Sequence, residues 1–169
     1  MTEIPTLSVD KMTVAYPTKA GTFWRQPTFI TAVDSVTFDI MPGETLGLVG
    51  ESGSGKSTAG RAILRKVNST AGTIRFKGDD ITAAVGEPLR RLRSRMQLVL
   101  QDPYTSLNPR MRIGDIVAEP LLVHGRVKSM PEARDQVRAL LDLVGMPLDA
   151  YLRYPHSFSG GQRQRIGIA

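Results

Sequence analysis

Gly50-Glu51-Ser52-Gly53-Ser54-Gly55-Lys56-Ser57, followed by Thr58, matches the pattern G-x-x-x-x-G-K-[ST]. Thr45-Leu46-Gly47-Leu48-Val49 before it reads as a buried strand, and Ser57 to Lys66 after it reads as a helix. A strand, a small-residue loop and a helix in that order make a phosphate cradle. Small residues let the chain curl until several backbone N–H groups point at one place. The positive end of the helix adds to that field. Lys56 can reach β- and γ-phosphates, and the Ser57 hydroxyl is placed to ligate Mg²⁺. The stretch therefore predicts a nucleoside triphosphate site in an α/β fold.

Upstream, Leu7, Val9, Met12, Val14 and Tyr16 approach period-two spacing, with one slip at Asp10-Lys11 that predicts a bulge or a short break. A loop rich in Pro, Gly and Thr runs from Pro17 to Thr28. Val36, Phe38 and Ile40 alternate with polar residues as a second strand, and Pro42-Gly43 turns the chain toward the P-loop strand. Downstream, Thr73 to Phe76 reads as a short strand, Glu87 to Arg95 as a helix with Pro88 in its first turn, and Met96 to Leu100 as a buried strand.

The character changes from Pro109 onward. Ile113 to Glu119 begins a helix that Pro120 is expected to end or kink. Pro131 to Val144 carries Ala133, Val137, Leu140, Leu141 and Val144 at helical spacing, and Gly145 sits where such a helix stops. Two parts are expected. Residues 1–100 form a nucleotide-binding core with an N-terminal β subdomain, and residues 101–169 form a helical subdomain.

The chain has 169 residues, 41% hydrophobic and 22% charged, as ordinary globular proteins do. With no cysteine, disulfides and thiolate metal sites are excluded. No apolar run approaches the ~18 residues of a membrane span. The first residues, Met1-Thr2-Glu3-Ile4-Pro5, lack the basic and apolar regions of a secretory leader. A net charge of +6 admits an anionic partner. However, no aromatic residue interleaves with Arg90, Arg91, Arg93 and Arg95, so nucleic acid is not expected.

Two further segments carry chemistry. Gln101-Asp102-Pro103-Tyr104-Thr105-Ser106-Leu107-Asn108-Pro109-Arg110 leaves an apolar run directly, and the carboxyl end of a strand in an open α/β sheet borders the ligand crevice. Either Asp102 binds magnesium, as in small P-loop kinases and GTPases, or Gln101 touches Mg²⁺ and the attacking water at the head of a shaped loop. No Asn-Lys-x-Asp guanine-reading motif occurs. Phe158-Ser159-Gly160-Gly161-Gln162 opens a helical pattern, and its hydroxyl, unhindered amides and helix N-terminus make a second anion-seeking constellation.

Together these segments resemble the nucleotide-binding subunit of an ATP-binding cassette (ABC) transporter, over about Leu7 to Ala169. Within that superfamily, Gln101 to Arg110 and Phe158 to Ala169 resemble the oligopeptide/dipeptide importer ATPases. The resemblance implies an α/β P-loop NTPase core with an antiparallel β subdomain and a helical signature subdomain. It makes Gly50, Ser52, Gly53, Ser54, Gly55, Lys56, Ser57 and Thr58 the ATP-binding loop. It makes Gln101 the Q-loop glutamine, with Ser57 and Gln101 on Mg²⁺. Ser159, Gly160, Gly161 and Gln162 become the signature, which in such ATPases meets the γ-phosphate of nucleotide bound to the partner subunit. Lys56, Gln101 and Ser159 carry the catalytic roles. Phe158 replaces the family's usual leucine. The adenine-stacking aromatic falls on Tyr16, and Phe23 and Trp24 in the following loop are the other aromatics able to take that role.

The implied function is coupling of ATP hydrolysis to uptake of peptides or similar solutes. The implied partners are a second ATP-binding subunit in a head-to-tail dimer, integral membrane permease subunits and, indirectly, a solute-binding protein, with the ATPase peripheral on the cytoplasmic face of the membrane. In the family, the Asp-Glu strand and the switch histidine follow the signature. Neither His124 nor His156 does, because both precede it. The chain is therefore expected to be the N-terminal portion of such a subunit, incomplete at its C-terminus and without ATP turnover of its own.

Overall fold

Leu7, Val9, Met12 and Val14 all turn inward along β1 (Leu7–Pro17), although the spacing changes from two to three between Val9 and Met12. The computed structural model, which describes residues 3–18, 28–100 and 106–169, shows how. Val9 pairs with Phe38 and Met12 with Val36, so three steps on β1 oppose two on β2 (Phe29–Ile40). The same extra residue recurs on the other edge, where Asp10 pairs with Thr73 and Thr13 with Ala71 of β3 (Ala71–Phe76). The slip at Asp10-Lys11 is thus a bulge, with Lys11 in the left-handed region at φ 47°. The Thr37 hydroxyl accepts the Lys11 N–H at 2.8 Å, so the residue expelled from the ladder keeps a partner.

Gly72 fits against this bulge. Its φ is +83°, and a Cβ there would lie 2.3 Å from the Lys11 carbonyl oxygen and 2.5 Å from that of Asp10. A short β4 (Asp79–Asp80) completes an antiparallel sheet in the order β2-β1-β3-β4. The β3–β4 corner is secured by the Thr82 N–H donating to the Asp80 carboxylate at 2.8 Å. Hydrogen bonds from Thr82, helped by the charge of Arg75, hold that carboxyl below its ordinary range. At the far end of the sheet, Thr18 donates its N–H to the Thr28 carbonyl at 2.8 Å, closing the neck of the β1–β2 loop.

The described residues fall into two compact units, Met1–Met96 and Gln97–Ala169. In the first, α1 (Lys56–Ile63) lays Ala59 and Ala62 onto the inner face of the sheet, among Val9, Met12, Val14, Val33 and Ile74. Small residues at that contact allow close approach of helix and strands. Helix α2 (Gly86–Arg93) adds Leu92 to the same core and keeps Pro88 in its first turn.

Two expected strands are absent. Thr45 to Val49 and Met96 to Leu100 have no ladder pairing among the described residues. Far from being buried, Leu48 is 50% and Val49 95% exposed, and Val99 and Leu100 are exposed as well. A continuous apolar run is the pattern of a strand covered on both faces in a parallel sheet. A strand also needs a neighbour's N–H and C=O groups, and the four paired strands here pair only with one another.

The second unit is helical. Helix α3 (Ile113–Val123) continues through Pro120 instead of ending there. Pro120 lies in its last turn, so the N–H that proline lacks removes one bond near an end that frays in any case. Helix α4 (Met130–Leu143) has Pro131 in its first turn and buries Ala133, Val137 and Leu141 of the expected stripe, while Leu140 and Val144 are half-buried against the same core. Two short 3₁₀ turns (Leu148–Leu152 and Pro155–Ser157), invisible to periodicity, lead into α5 (Gly160–Ile168). Ile113, Val117, Val137, Leu141, Phe158 and Ile166 form the centre of this core. Among the described residues no helix is long and apolar enough to cross a membrane.

The Gly72 contact gives a direct test. Gly72→Ala forces a left-handed alanine and drives its methyl into two carbonyl oxygens of the bulge. The expected loss is about 2–4 kcal/mol, from about 1–2 for the backbone and about 1–3 for overpacking. Urea-induced unfolding measures it, and a loss below about 1 kcal/mol would mean that the bulge simply moves aside.

Candidate functional site

The P-loop begins where the unpaired segment Thr45–Val49 ends and closes where α1 begins. Its last glycine, Gly55, is the N-cap of α1 with φ 90°. A Cβ at Gly55 would lie 2.1 Å from the Ala32 carbonyl oxygen of β2. Both the backbone sign and the space therefore demand glycine at this position. No side chain caps the helix, so the first-turn N–H groups face the concavity of the loop rather than a protein oxygen.

Lys56 is curled back over that concavity. Its ammonium donates to the Gly50 carbonyl at 2.6 Å, the Glu51 carbonyl at 2.6 Å and the Ser54 hydroxyl at 3.2 Å. All three donors of the ammonium are used. No carboxylate takes part, so the positive charge is solvated by dipoles alone. Ser57 and Thr58 follow in the first turn of α1, and Ser52, Gly53 and Ser54 form the exposed arch, braced by the Ser54 N–H on the Glu51 carbonyl at 3.2 Å. Phosphate oxygens fit this arrangement as acceptors, since they can replace the three neutral oxygens now holding Lys56 and engage uncapped amides as well.

Tyr16, in the same unit, pairs with Ile30 near the end of β1 and is 42% exposed. It is not a core tyrosine; its ring is available on the sheet surface. Gln101, together with Asp102, lies outside the described residues, as do Phe23 and Trp24.

The residues expected to form the signature lie in the second unit. Ser159 is the N-cap of α5, and its hydroxyl accepts the Gln162 N–H at 3.3 Å. The Gln162 side-chain oxygen accepts the Ser159 N–H at 2.9 Å. This reciprocal pair is a capping box. Its Ser-x-x-Gln spacing is readable in sequence, so the capping role of Gln162 is one that pattern reasoning could have found. Gly160 and Gly161 occupy the first turn between them.

Phe158 anchors the turn ahead of the cap. Its ring is 4% exposed, with the Arg153 guanidinium 4.5 Å from the ring centroid. Arg153 also donates to the Ser157 carbonyl at 3.0 Å, while its own carbonyl accepts the Ile113 N–H at 2.9 Å. Arg163 donates to the Phe158 carbonyl at 3.0 Å. At the other end of α5, Arg165 donates to the carbonyls of Val144 and Gly145 just past α4. Arg153, Arg163 and Arg165 thus brace α5 and the turn ahead of Ser159. Arg153 and Arg163 act on nearby carbonyls and Arg165 on distant ones, and no motif announces any of them.

Comparison with known proteins places this chain among relatives. Residues 33–169 match the family model described as "ABC transporter". A putative peptide import ATP-binding protein of Brucella ovis is 47% identical over 169 residues, covering 100% of this chain and 51% of the relative. The glutathione import ATP-binding protein GsiA of Escherichia coli O6:H1 is 50% identical over 165 residues, 98% of this chain and 26% of the relative. The chain spans about half the length of the first of these relatives and a quarter of the second. Among solved structures, the dimeric post-hydrolysis state of the ATP-binding cassette MJ0796 bound to ADP and Pi superposes with a TM-score of 0.80 at 26% identity, covering 96% of this chain and 67% of that one. With the P-loop at the start of α1, the capped Ser159 turn at the start of α5 and a family match over most of its length, the chain belongs to the ABC transporter family.

Proposed function

We propose that this chain is the nucleotide-handling part of an importer ATPase, and that the whole protein couples ATP hydrolysis to uptake of peptides or similar solutes. The observation that carries the reading is the Lys56 ammonium, held over the P-loop by three neutral acceptors at the start of an uncapped helix. The relatives named for peptide and glutathione import support the solute class.

In this reading the P-loop residues Gly50 and Ser52 to Thr58 hold the triphosphate. Ser57, with Gln101, would hold Mg²⁺. When bound, Mg²⁺ neutralises phosphate oxygens during transfer to water. Lys56 adds a fixed positive charge beside them, so the chain contributes mainly position and electrostatics. Tyr16 offers its exposed face to the adenine ring.

Ser159, Gly160, Gly161 and Gln162 act on the nucleotide of a second ATP-binding subunit. One chain does not need two anion-seeking loops for a single γ-phosphate. A head-to-tail pair with two-fold symmetry uses both, because each signature then closes the other subunit's site. The solved dimer of the related cassette is consistent with such pairing. Membrane permease subunits, and a solute-binding protein through them, complete the machine, with this subunit peripheral on the cytoplasmic face.

Lys56→Ala removes a charge-assisted contact that contributes about 1.5–3 kcal/mol, so MgATP affinity is expected to fall roughly tenfold or more. Calorimetric titration of both proteins checks this, and equal affinities would remove the P-loop from the mechanism.

Ser159→Ala separates action in trans from action in cis. If Ser159 serves the partner's nucleotide, a single chain should keep its MgATP affinity within about twofold, while ATP-driven dimerisation of the full-length protein is lost. Affinity is read by calorimetry and dimerisation by light scattering. A single-chain affinity loss comparable to that of Lys56→Ala would place Ser159 on its own chain's nucleotide instead.

A further inference from the structure

Arg65 combines two costs in one residue. It is 8% exposed, the one buried charged side chain among the described residues. Neither its Nε nor its Nη1 has a hydrogen-bond partner. Arginine cannot discard its proton to escape, so a guanidinium with two buried, unpartnered nitrogens carries a standing electrostatic penalty. Its backbone is left-handed, with φ 54°, and closes α1 as a Schellman cap: the Arg65 N–H donates to the Ala62 carbonyl at 2.9 Å and the Lys66 N–H to the Arg61 carbonyl at 2.8 Å. It sits one position past Leu64, the C-cap of α1. The cap explains the backbone but not the side chain, and the orphaned nitrogens mark a place that does something other than stabilise the isolated unit.

The surroundings indicate what would satisfy it. From Ser52 to Gly78 the sequence holds Lys56, Arg61, Arg65, Lys66, Arg75 and Lys77 and no carboxylate. Arg61 and Lys66 flank Arg65 on the surface. Arg93, at the end of α2, reaches across and donates to the Arg65 carbonyl at 2.8 Å. Glu87 engages only Arg90 and Arg91, so none of Arg61, Arg65, Lys66 and Arg93 has an ion-pair partner among the described residues.

We propose that the C-terminal end of α1 is a docking site for an acidic polypeptide segment, one carboxylate of which pairs with Arg65. A segment carrying several carboxylates fits better than a single small ion. The orphaned nitrogens are closed off from solvent, and the exposed cations around them spread over more than one ion's reach. Docking turns the Arg65 side chain outward while its backbone keeps the helix cap. The carboxylate then replaces the missing partners, and Arg61, Lys66 and Arg93 engage the neighbouring acids. This site lies at the opposite end of α1 from the P-loop and is independent of nucleotide binding.

The test is thermal unfolding of the 169-residue chain with pentaglutamate as the probe, against sodium chloride at equal ionic strength. In chloride, Arg65→Met should melt about 2–4 °C above the original protein, because a penalty is removed. Pentaglutamate should raise the melting temperature of the original protein more than that of Arg65→Met, narrowing or reversing the gap. Any binding at Lys56 affects both equally and cancels. Arg65→Lys, which keeps the charge without the planar fork, should respond to a lesser degree. An Arg65→Met that melts lower in chloride would show that Arg65 is already satisfied, and so overturn the proposal. So would equal responses of Arg65→Met and the original protein to the peptide. A third arm uses inorganic phosphate. If it reproduces the whole Arg65-dependent shift, the site takes a free oxyanion and the polypeptide assignment fails.

Discussion

At Gly55 the chain leaves the P-loop and enters α1 with no room for a side chain, pressed against the Ala32 carbonyl of β2. Much of the first unit follows from that contact. It fixes where α1 starts relative to the sheet, and hence which face of the helix lies over β1 and β2. Ala59 and Ala62 are the residues on that face, and they are small enough for the helix to settle close. The same contact sets the direction of the uncapped first turn and the reach of Lys56. Site and sheet are therefore one construction, joined where a glycine meets a carbonyl.

The sheet meets its own constraint with a bulge. β1 is the shared strand, paired on both edges, so one extra residue at Asp10-Lys11 has to be absorbed by β2 and β3 together. β2 does so with the Thr37 hydroxyl, and β3 with a glycine that leaves space for two carbonyls. The slip in spacing between Val9 and Met12 was legible from sequence because burial on one face of a sheet enforces period two so strictly that an exception has to be structural. The accommodation by Gly72 was not, since it depends on which strand lies alongside.

The same distinction separates the readings that held from those that did not. Stripes such as Ala133, Val137 and Leu141 report a face, and a helix satisfies its own backbone, so they can be read locally. The apolar runs Thr45–Val49 and Met96–Leu100 report only that a segment could be buried. Whether either becomes a strand is decided by a neighbour's backbone, and no composition within the run supplies one. Pro120 was over-read for a related reason. Its effect depends on how many turns follow it, and here there is less than one. At the candidate site, motif spacing singled out the P-loop residues and Ser159, which lie at the starts of α1 and α5. The arginines that brace the turn at Ser159 stayed hidden because each acts on a backbone carbonyl, a group every residue carries. Gln101 falls outside the described residues.

The capping box at Ser159 has a thermodynamic consequence of its own. Because Ser159 and Gln162 satisfy each other, and Phe158 beneath them is already buried, the turn is ordered before anything approaches it. An incoming anion would pay little conformational entropy there, having no loop to freeze. The P-loop differs: Lys56 has to surrender three hydrogen bonds before it can make new ones. One surface is a rigid template and the other an exchanger of bonds. Their binding enthalpies and entropies should therefore respond to temperature in different ways, even where their affinities agree.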